Sequence, residues 1–204
     1  GAFYAPNQDT RFGVSYRSRI AHDVNGHANF SVPDRAIGLT QGNILVDTST
    51  STPVTPPDSV LFGLSHRRNP RWAVSADALW THWSLIQELR TNFASAQPDD
   101  VQNLKWNDTW RYAFGVNYFS ESNKWTVRMG FAYDQTPVPN ARYRSPRIPD
   151  ASRYWLTAGL TYAVMKNVNI HAAYAHLFMN DASINHRGAT ADVLAGQYSE
   201  QINI

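Results

Sequence analysis

The sequence predicts an all-β chain, an antiparallel transmembrane β-barrel, and three observations carry that prediction. The first is a period of two sustained over long runs. In WTVRMGFAYD (125–134) one set of alternate residues is Trp125, Val127, Met129, Phe131 and Tyr133, and the other is Thr126, Arg128, Gly130, Ala132 and Asp134. Successive side chains of a strand point to opposite faces, so one face is apolar and the other small or polar. The second is composition. Charged residues make up only 17% of the 204, below the usual quarter of soluble domains, while aromatics reach 13%. Tyr and Trp suit a boundary between apolar and wet surroundings. The third is an interval. Trp72 and Trp80, Trp110 and Tyr118, Trp125 and Tyr133, and Tyr154 and Tyr162 each lie eight residues apart on one face. Eight residues at ~3.3 Å rise span ~26 Å. A tilt of roughly 40° makes that ~20 Å along a membrane normal, close to the apolar band between aromatic girdles.

The elements follow in order. Residues 10–30 keep one alternating register and predict a single long strand, followed by a polar segment, 31–57, that ends in Pro53, Pro56 and Pro57. DSVLFGLSHR (58–67), a tight turn at 68–70 and RWAVSADALWTHW (71–83) predict a hairpin. SLIQELRTNF (84–93) is the one candidate for a helix, and its period is ambiguous. WRYAFGVNYF (110–119), the turn 120–124 and the strand 125–134 predict a second hairpin, and YWLTAGLTYAV (154–164), MKN and VNIHAAYAHLF (168–178) a third. The tail is polar until a strand start in QYSEQINI. Short turns alternating with long loops are the pattern of outer-membrane barrels.

Other function classes find little support. The formal net charge of +2 and the lack of a long basic run argue against nucleic acid. No uncharged apolar run reaches the ~18 residues of a membrane helix. GAFYAPNQDT lacks the basic and apolar regions of a signal peptide. The chain has no cysteine, and no cofactor is expected. His171 and His176 lie five apart on a strand, hence on opposite faces, and do not chelate one ion; His22 and His82 fit the outer rims. Ser75 and Asp77 share a face on which no nearby His falls, so no catalytic residues are assigned.

TRFGVSYRS (10–18), NPRWAVSADALWTHWS (69–84), WNDTWRYAFGVNY (106–118) and RMGFAYDQTPVPNARYRSPRIPDASRYWLTAGLTY (128–162) resemble the outer-membrane long-chain fatty acid transporters of the FadL type. That group also includes toluene and other hydrocarbon channels. The resemblance implies part of a 14-stranded barrel, about seven full strands plus two partial ones, with the N-terminal hatch and early strands absent from the 204 residues. It implies passive passage of a long-chain fatty acid or another hydrophobic small molecule through the lumen. The alternatives are an aromatic-hydrocarbon channel of the same family and, from another class, a soluble β-sandwich binding module. Implied partners are outer-membrane lipid, lipopolysaccharide and the rest of the same barrel.

By the same resemblance, loop 31–57 matches one side of the family's capture groove, with Val32, Ile37, Leu39, Ile44, Leu45 and Val46 as apolar members. Packing of these residues on the barrel rim is the other reading. Lys105 lies just before the strand at 110–119, a region where the family has basic residues near a carboxylate pocket, at a position that does not match theirs. A solvated lysine is the other reading. Arg11, Arg17, Arg19, Asp23, Asp77, Arg111, Arg128 and Arg153 fall on the lumen face, where charges pair across strands or steer a carboxylate. The basic segment 142–153 reads as a solvated loop or a contact for lipopolysaccharide.

Overall fold

The computed structural model describes residues 1–122, 124–187 and 192–204. β1 (Ala2–Tyr4) and β2 (Thr10–Arg17) form a hairpin. The chain then leaves the strand at 18–21, and β3 (His22–Ala28) pairs with β4 (Thr48–Val54) across a 3-10 helix at Asp34–Thr40. Residues 10–30 are therefore two strands in two sheets, not one. Arg17 opposes Ser59, the first residue of β5 (Ser59–Asn69), so beyond Arg17 the wall offers no partner. The backbone groups that follow bond to β4 instead. That also corrects the segment 31–57, which contains a strand.

A two-residue turn leads into β6 (Trp72–Thr81), where the Asn69 side chain accepts the N–H groups of Arg71 and Trp72. The helix candidate at 84–93 resolves into the end of a short 3-10 turn, Trp83–Leu85, and β7 (Glu88–Phe93). β7 pairs with β4 on one side and with β8 (Asp100–Asn103) on the other. β9 (Thr109–Phe119), β10 (Trp125–Asp134), β11 (Arg153–Met165) and β12 (Val168–Met179) follow as successive neighbours. A hairpin of β13 (Ala182–Arg187) and β14 (Val193–Tyr198) precedes β15 (Gln201–Asn203), which returns to β12.

Nine strands make one antiparallel sheet in the order β1-β2-β5-β6-β9-β10-β11-β12-β15. Seven are long and the two at the edges have three residues each, which matches the seven full and two partial strands expected. Register places like with like. Phe131 opposes Phe114 and Leu156, while Met129 opposes Val116 and Ala158. This face is apolar yet uncovered: Met129 is 60% exposed and Leu156 56%. A soluble sheet buries such a face, and a membrane wall turns it to lipid.

Two rows of aromatic rings bound the apolar face. At the short-turn end Trp72 packs on Tyr118 with centroids 4.8 Å apart, and Trp125 on Tyr162 at 4.2 Å. At the long-loop end Trp80 opposes Trp110, and Tyr133 packs on Tyr154 at 5.0 Å. The opposite face is lined with small residues at mid-height, and two glycines there are close-packed. A Cβ on Gly130 would fall 2.6 Å from Thr157 Oγ1, and one on Gly115 2.8 Å from Ser75 Oγ.

The buried apolar cluster lies in the long loops, not in the wall. Leu104, Trp106 and Val138 form it, with Trp83, Ile86 and Leu89 against them. A four-stranded sheet, β3-β4-β7-β8, joins two of these loops, and Thr52 and Thr91 share a hydroxyl–hydroxyl bond of 3.0 Å across the β4–β7 seam. Burial outside the wall and exposure on it is the arrangement expected where lipid is the solvent for the strands.

Candidate functional site

The charges assigned to the wall's inner face divide into two groups. Arg17, Asp77, Arg111, Arg128 and Arg153 alternate out of phase with the aromatic face, opposite Ser59, Gly63, Leu79, Gly159 and Asp134 respectively. Arg11 opposes Ser65 on the same face. Arg19 and Asp23 do not belong with them: Arg19 falls in the break after β2, and Asp23 sits in β3 of the loop sheet, opposite Pro53. The extrapolated register put them in the wall, and the change of partner strand removes them.

Arg153 has a defined task. Its Nε donates to Asp134 at 3.1 Å and its Nη2 to Asp150 at 3.1 Å. Asp150 also accepts the Thr136 hydroxyl at 2.6 Å, and Ser152 Oγ accepts the Thr136 N–H at 3.1 Å. The segment 134–153 thus closes on itself above the β10–β11 hairpin, and its Val138 enters the loop core. Arg128 donates to Thr161 at 2.6 Å, and Thr161 meets His171 at 2.9 Å, toward the short-turn end.

Arg153→Met would leave two carboxylates side by side without their cation. All three side chains are 17–30% exposed, so the pairing is screened, and the loss is expected to be roughly 1–2 kcal/mol for the loop. Faster protease cleavage between 135 and 152, with the wall intact, is the expected sign. Unchanged cleavage would contradict the clamp.

The seven residues assigned to the capture groove and the carboxylate pocket do not converge. Ile37 and Leu39 lie on the 3-10 helix, each 62% exposed. Ile44, Leu45 and Val46 are half-buried on a bend where Gly42, Asn43 and Leu45 all have positive φ. A leucine in that region is strained. It is held by the Leu45 N–H on Gln97 Oε1 at 3.1 Å and the Ala96 N–H on the Asn43 carbonyl at 3.1 Å. Val32 falls in the irregular stretch before the helix.

Lys105 is elsewhere. It has φ +47° between two core residues, Leu104 and Trp106, and both the Leu104 and Lys105 N–H groups donate to the Gln87 carbonyl at 2.9 Å. This kink sends Leu104 and Trp106 into the core and leaves Lys105 on a cavity of about 750 Å³. Asp99, the β8 residues, Arg142, Tyr143, Pro146, Arg147, His186 and Arg187 line the rest, and none of the six apolar candidates does. Lys105 Nζ stands 5.4 Å from the Tyr143 ring centre and Arg142 Cζ 5.9 Å from the same ring. Arg147 is paired with Asp100 at 2.8 Å, and Asp99 with Arg90 at 3.0 Å, which holds the Arg90 guanidinium above its ordinary pKa. Lys105 and Arg142 have no carboxylate partner among the described residues, so two cations stand within 6 Å of one ring and are free to meet an anion.

The basic segment 142–153 is not simply solvated. Arg144 is buried, with Nε on the Asp150 carbonyl at 2.9 Å and Nη1 on the Ser183 carbonyl at 2.5 Å. It fastens the β13–β14 hairpin to the loop, and burial pushes the nearby Tyr198 phenol above its usual pKa. Sequence reasoning missed the cavity residues Gln102, Tyr143 and His186. Only the Lys105 position and the density of arginines pointed toward that region.

A "Long-chain fatty acid transport protein" of Escherichia coli O6:H1 is 34% identical over 184 residues, covering 86% of this chain and 41% of that protein. "Outer membrane protein P1" of Haemophilus influenzae is 29% identical over 177 residues, 87% of this chain and 36% of that one. Among solved structures, a FadL homologue of Pseudomonas aeruginosa superposes with a TM-score of 0.84 at 26% identity, covering 98% of this chain and 48% of that chain. The toluene transporter TodX of Pseudomonas putida has a TM-score of 0.64 at 22% identity, covering 98% of this chain and 45% of that chain, a likeness of fold. The chain spans less than half the length of these relatives. Residues 1–203 match the family described as "Outer membrane protein transport protein (OMPP1/FadL/TodX)", and with a lipid-facing wall, two aromatic girdles and a loop layer of this form, the chain belongs to that family.

Proposed function

We propose that these residues form the C-terminal half of an outer-membrane barrel that passes long-chain fatty acids, or similar hydrophobic molecules, by diffusion. The remaining strands and a hatch come from the rest of that barrel. One observation carries the choice of fatty acid over plain hydrocarbon: among the described residues, Lys105 and Arg142 stand unpaired by carboxylates beside Tyr143, in a cavity of the loop layer. Two cations meet an aromatic hydrocarbon only through its ring face, whereas they hold a carboxylate by charge-assisted hydrogen bonds, the stronger interaction. The inner-face residues Arg17, Asp77, Arg111, Arg128 and Arg153 then line the lumen, with Arg153 held in its two ion pairs and Arg128 on Thr161. Ile37 and Leu39 offer apolar surface to a molecule arriving from outside.

The test is labelled-oleate binding by the complete barrel protein in detergent, with heat-modifiable gel mobility as the check on folding. Lys105→Met with Arg142→Gln is expected to weaken oleate at least about tenfold, as loss of a charge-assisted contact implies. Ile37→Ser with Leu39→Ser is expected to weaken it severalfold, because an exposed helix buries its ligand only partly. Changing Ile44, Leu45 and Val46 to Ser separates the two readings of that bend. Weakened oleate binding in a folded variant makes it part of the groove, and normal affinity makes it rim packing. Normal affinity in all three variants would refute the loop layer's part in capture.

A further inference from the structure

The membrane face of the wall is not evenly filled. Trp72, Val116, Tyr118, Val127 and Met129 surround a hollow of about 250 Å³ on β6, β9 and β10. Every lining residue is apolar or aromatic. Tyr118 opposes Val127 and Val116 opposes Met129, so the hollow runs ~7 Å along the strands. It leads from the girdle pair Trp72–Tyr118 toward mid-membrane. On a face turned to lipid, such a groove takes a length of acyl chain, which gains contacts that a smooth wall does not offer.

The groove ends beneath charge. Short turns lie on the periplasmic side of outer-membrane barrels. The turns 68–71, 120–124 and 165–167 carry Arg68, Arg71, Lys124 and Lys166 against one carboxylate, Glu121. Arg71 and Glu121 pair across the first two turns, and the Phe119 N–H donates to the Arg71 carbonyl at 2.8 Å. These contacts bring the two turns together at the Trp72–Tyr118 end of the groove. Both members of the pair are more than half exposed, and Arg71 keeps further N–H donors. Arg68 and Lys124 are exposed and have no carboxylate partner among the described residues. A cationic rim over an apolar groove fits one lipid with a negative headgroup, and the leaflet on that side is built of phospholipid. We propose that this site selects an anionic phospholipid, of the phosphatidylglycerol type, over a zwitterionic one. Its chain lies in the groove and its phosphate meets Arg68, Arg71 and Lys124. The inference rests on the wall standing in a membrane, not on what passes through the lumen.

Native mass spectrometry of the complete barrel protein tests it, in detergent with equal phosphatidylglycerol and phosphatidylethanolamine of the same chains. Phosphatidylglycerol is expected to be retained about tenfold more, the effect of a few basic side chains on an anionic headgroup. Arg68→Gln with Lys124→Gln is expected to bring the ratio near one. Both side chains are exposed on turns, so assembly, checked by heat-modifiable gel mobility, is expected to be unaffected. Val127→Phe fills the groove with another apolar group and is expected to lower retention of both lipids severalfold. Equal retention in the unaltered protein overturns the inference. A ratio that survives the double change overturns it as well, since the selecting cations then lie elsewhere. So does full retention of both lipids by folded Val127→Phe. None of these outcomes bears on oleate binding, and the transport reading stands or falls by its own test.

Discussion

Planar-bilayer recordings of the 204-residue chain by itself are expected to show no stable single-channel conductance. The nine-stranded sheet begins at β1 and ends at β15, and these two strands are not paired with each other. Each leaves a row of backbone N–H and C=O groups open. In hydrocarbon every such group costs several kcal/mol, and only a closed barrel satisfies them all. The same chain within a complete barrel has both edges covered. Steady conductance steps from the isolated chain would show that it closes by other means, for instance by pairing with copies of itself.

Met129→Arg is expected to cost about 2–4 kcal/mol, because it places a cation on the lipid face near mid-membrane. Met129 is among the most exposed apolar residues of the wall, between Val116 and Ala158. Its neighbour Gly130 faces the other way. Gly130→Arg keeps its charge on the wet side, yet the new Cβ meets Thr157 Oγ1 at 2.6 Å. Rotating Thr157 relieves that contact for about 1 kcal/mol, so the glycine variant remains the milder of the two. Reversible unfolding of the complete barrel in lipid measures both. A larger loss at Gly130 than at Met129 would mean that the faces are assigned the wrong way round.

The wall was legible in the sequence because two independent signals agreed on it. Alternation sets which residues share a face, and the eight-residue aromatic interval sets where the strand meets each interface; Trp72, Trp80, Trp110 and Tyr118 fall in register across β6 and β9 as that interval requires. The loop layer obeyed neither signal. Alternation does not report a change of partner, so residues 18–30 read as more wall until the structure paired β3 with β4. Nothing in a period of two marks Arg17 as the last residue with a wall neighbour. The candidate site was half-legible for a similar reason. Lys105 was singled out by position alone, and the positive φ that separates it from the apolar loop residues is a backbone property of a non-glycine residue, invisible in a side-chain pattern. Gln102 looks like any polar strand residue until Ser145 and the cavity are placed beside it.

The seam between β4 and β7 bears on what an antibody would see. Thr50 lies opposite Phe93 and Ser51 opposite Asn92, and the Asn92 amide donates to the Ser51 carbonyl across 41 positions of sequence. The surface there is an interleaving of separate loops, with the Phe30 and Phe93 rings against each other at 6.4 Å between centroids. Antibodies that recognise the folded protein over this seam are expected to bind a composite epitope. Synthetic peptides copied from 48–54 or from 88–93 would then compete poorly, and immunisation with linear loop peptides would yield sera that stain denatured protein better than intact cells.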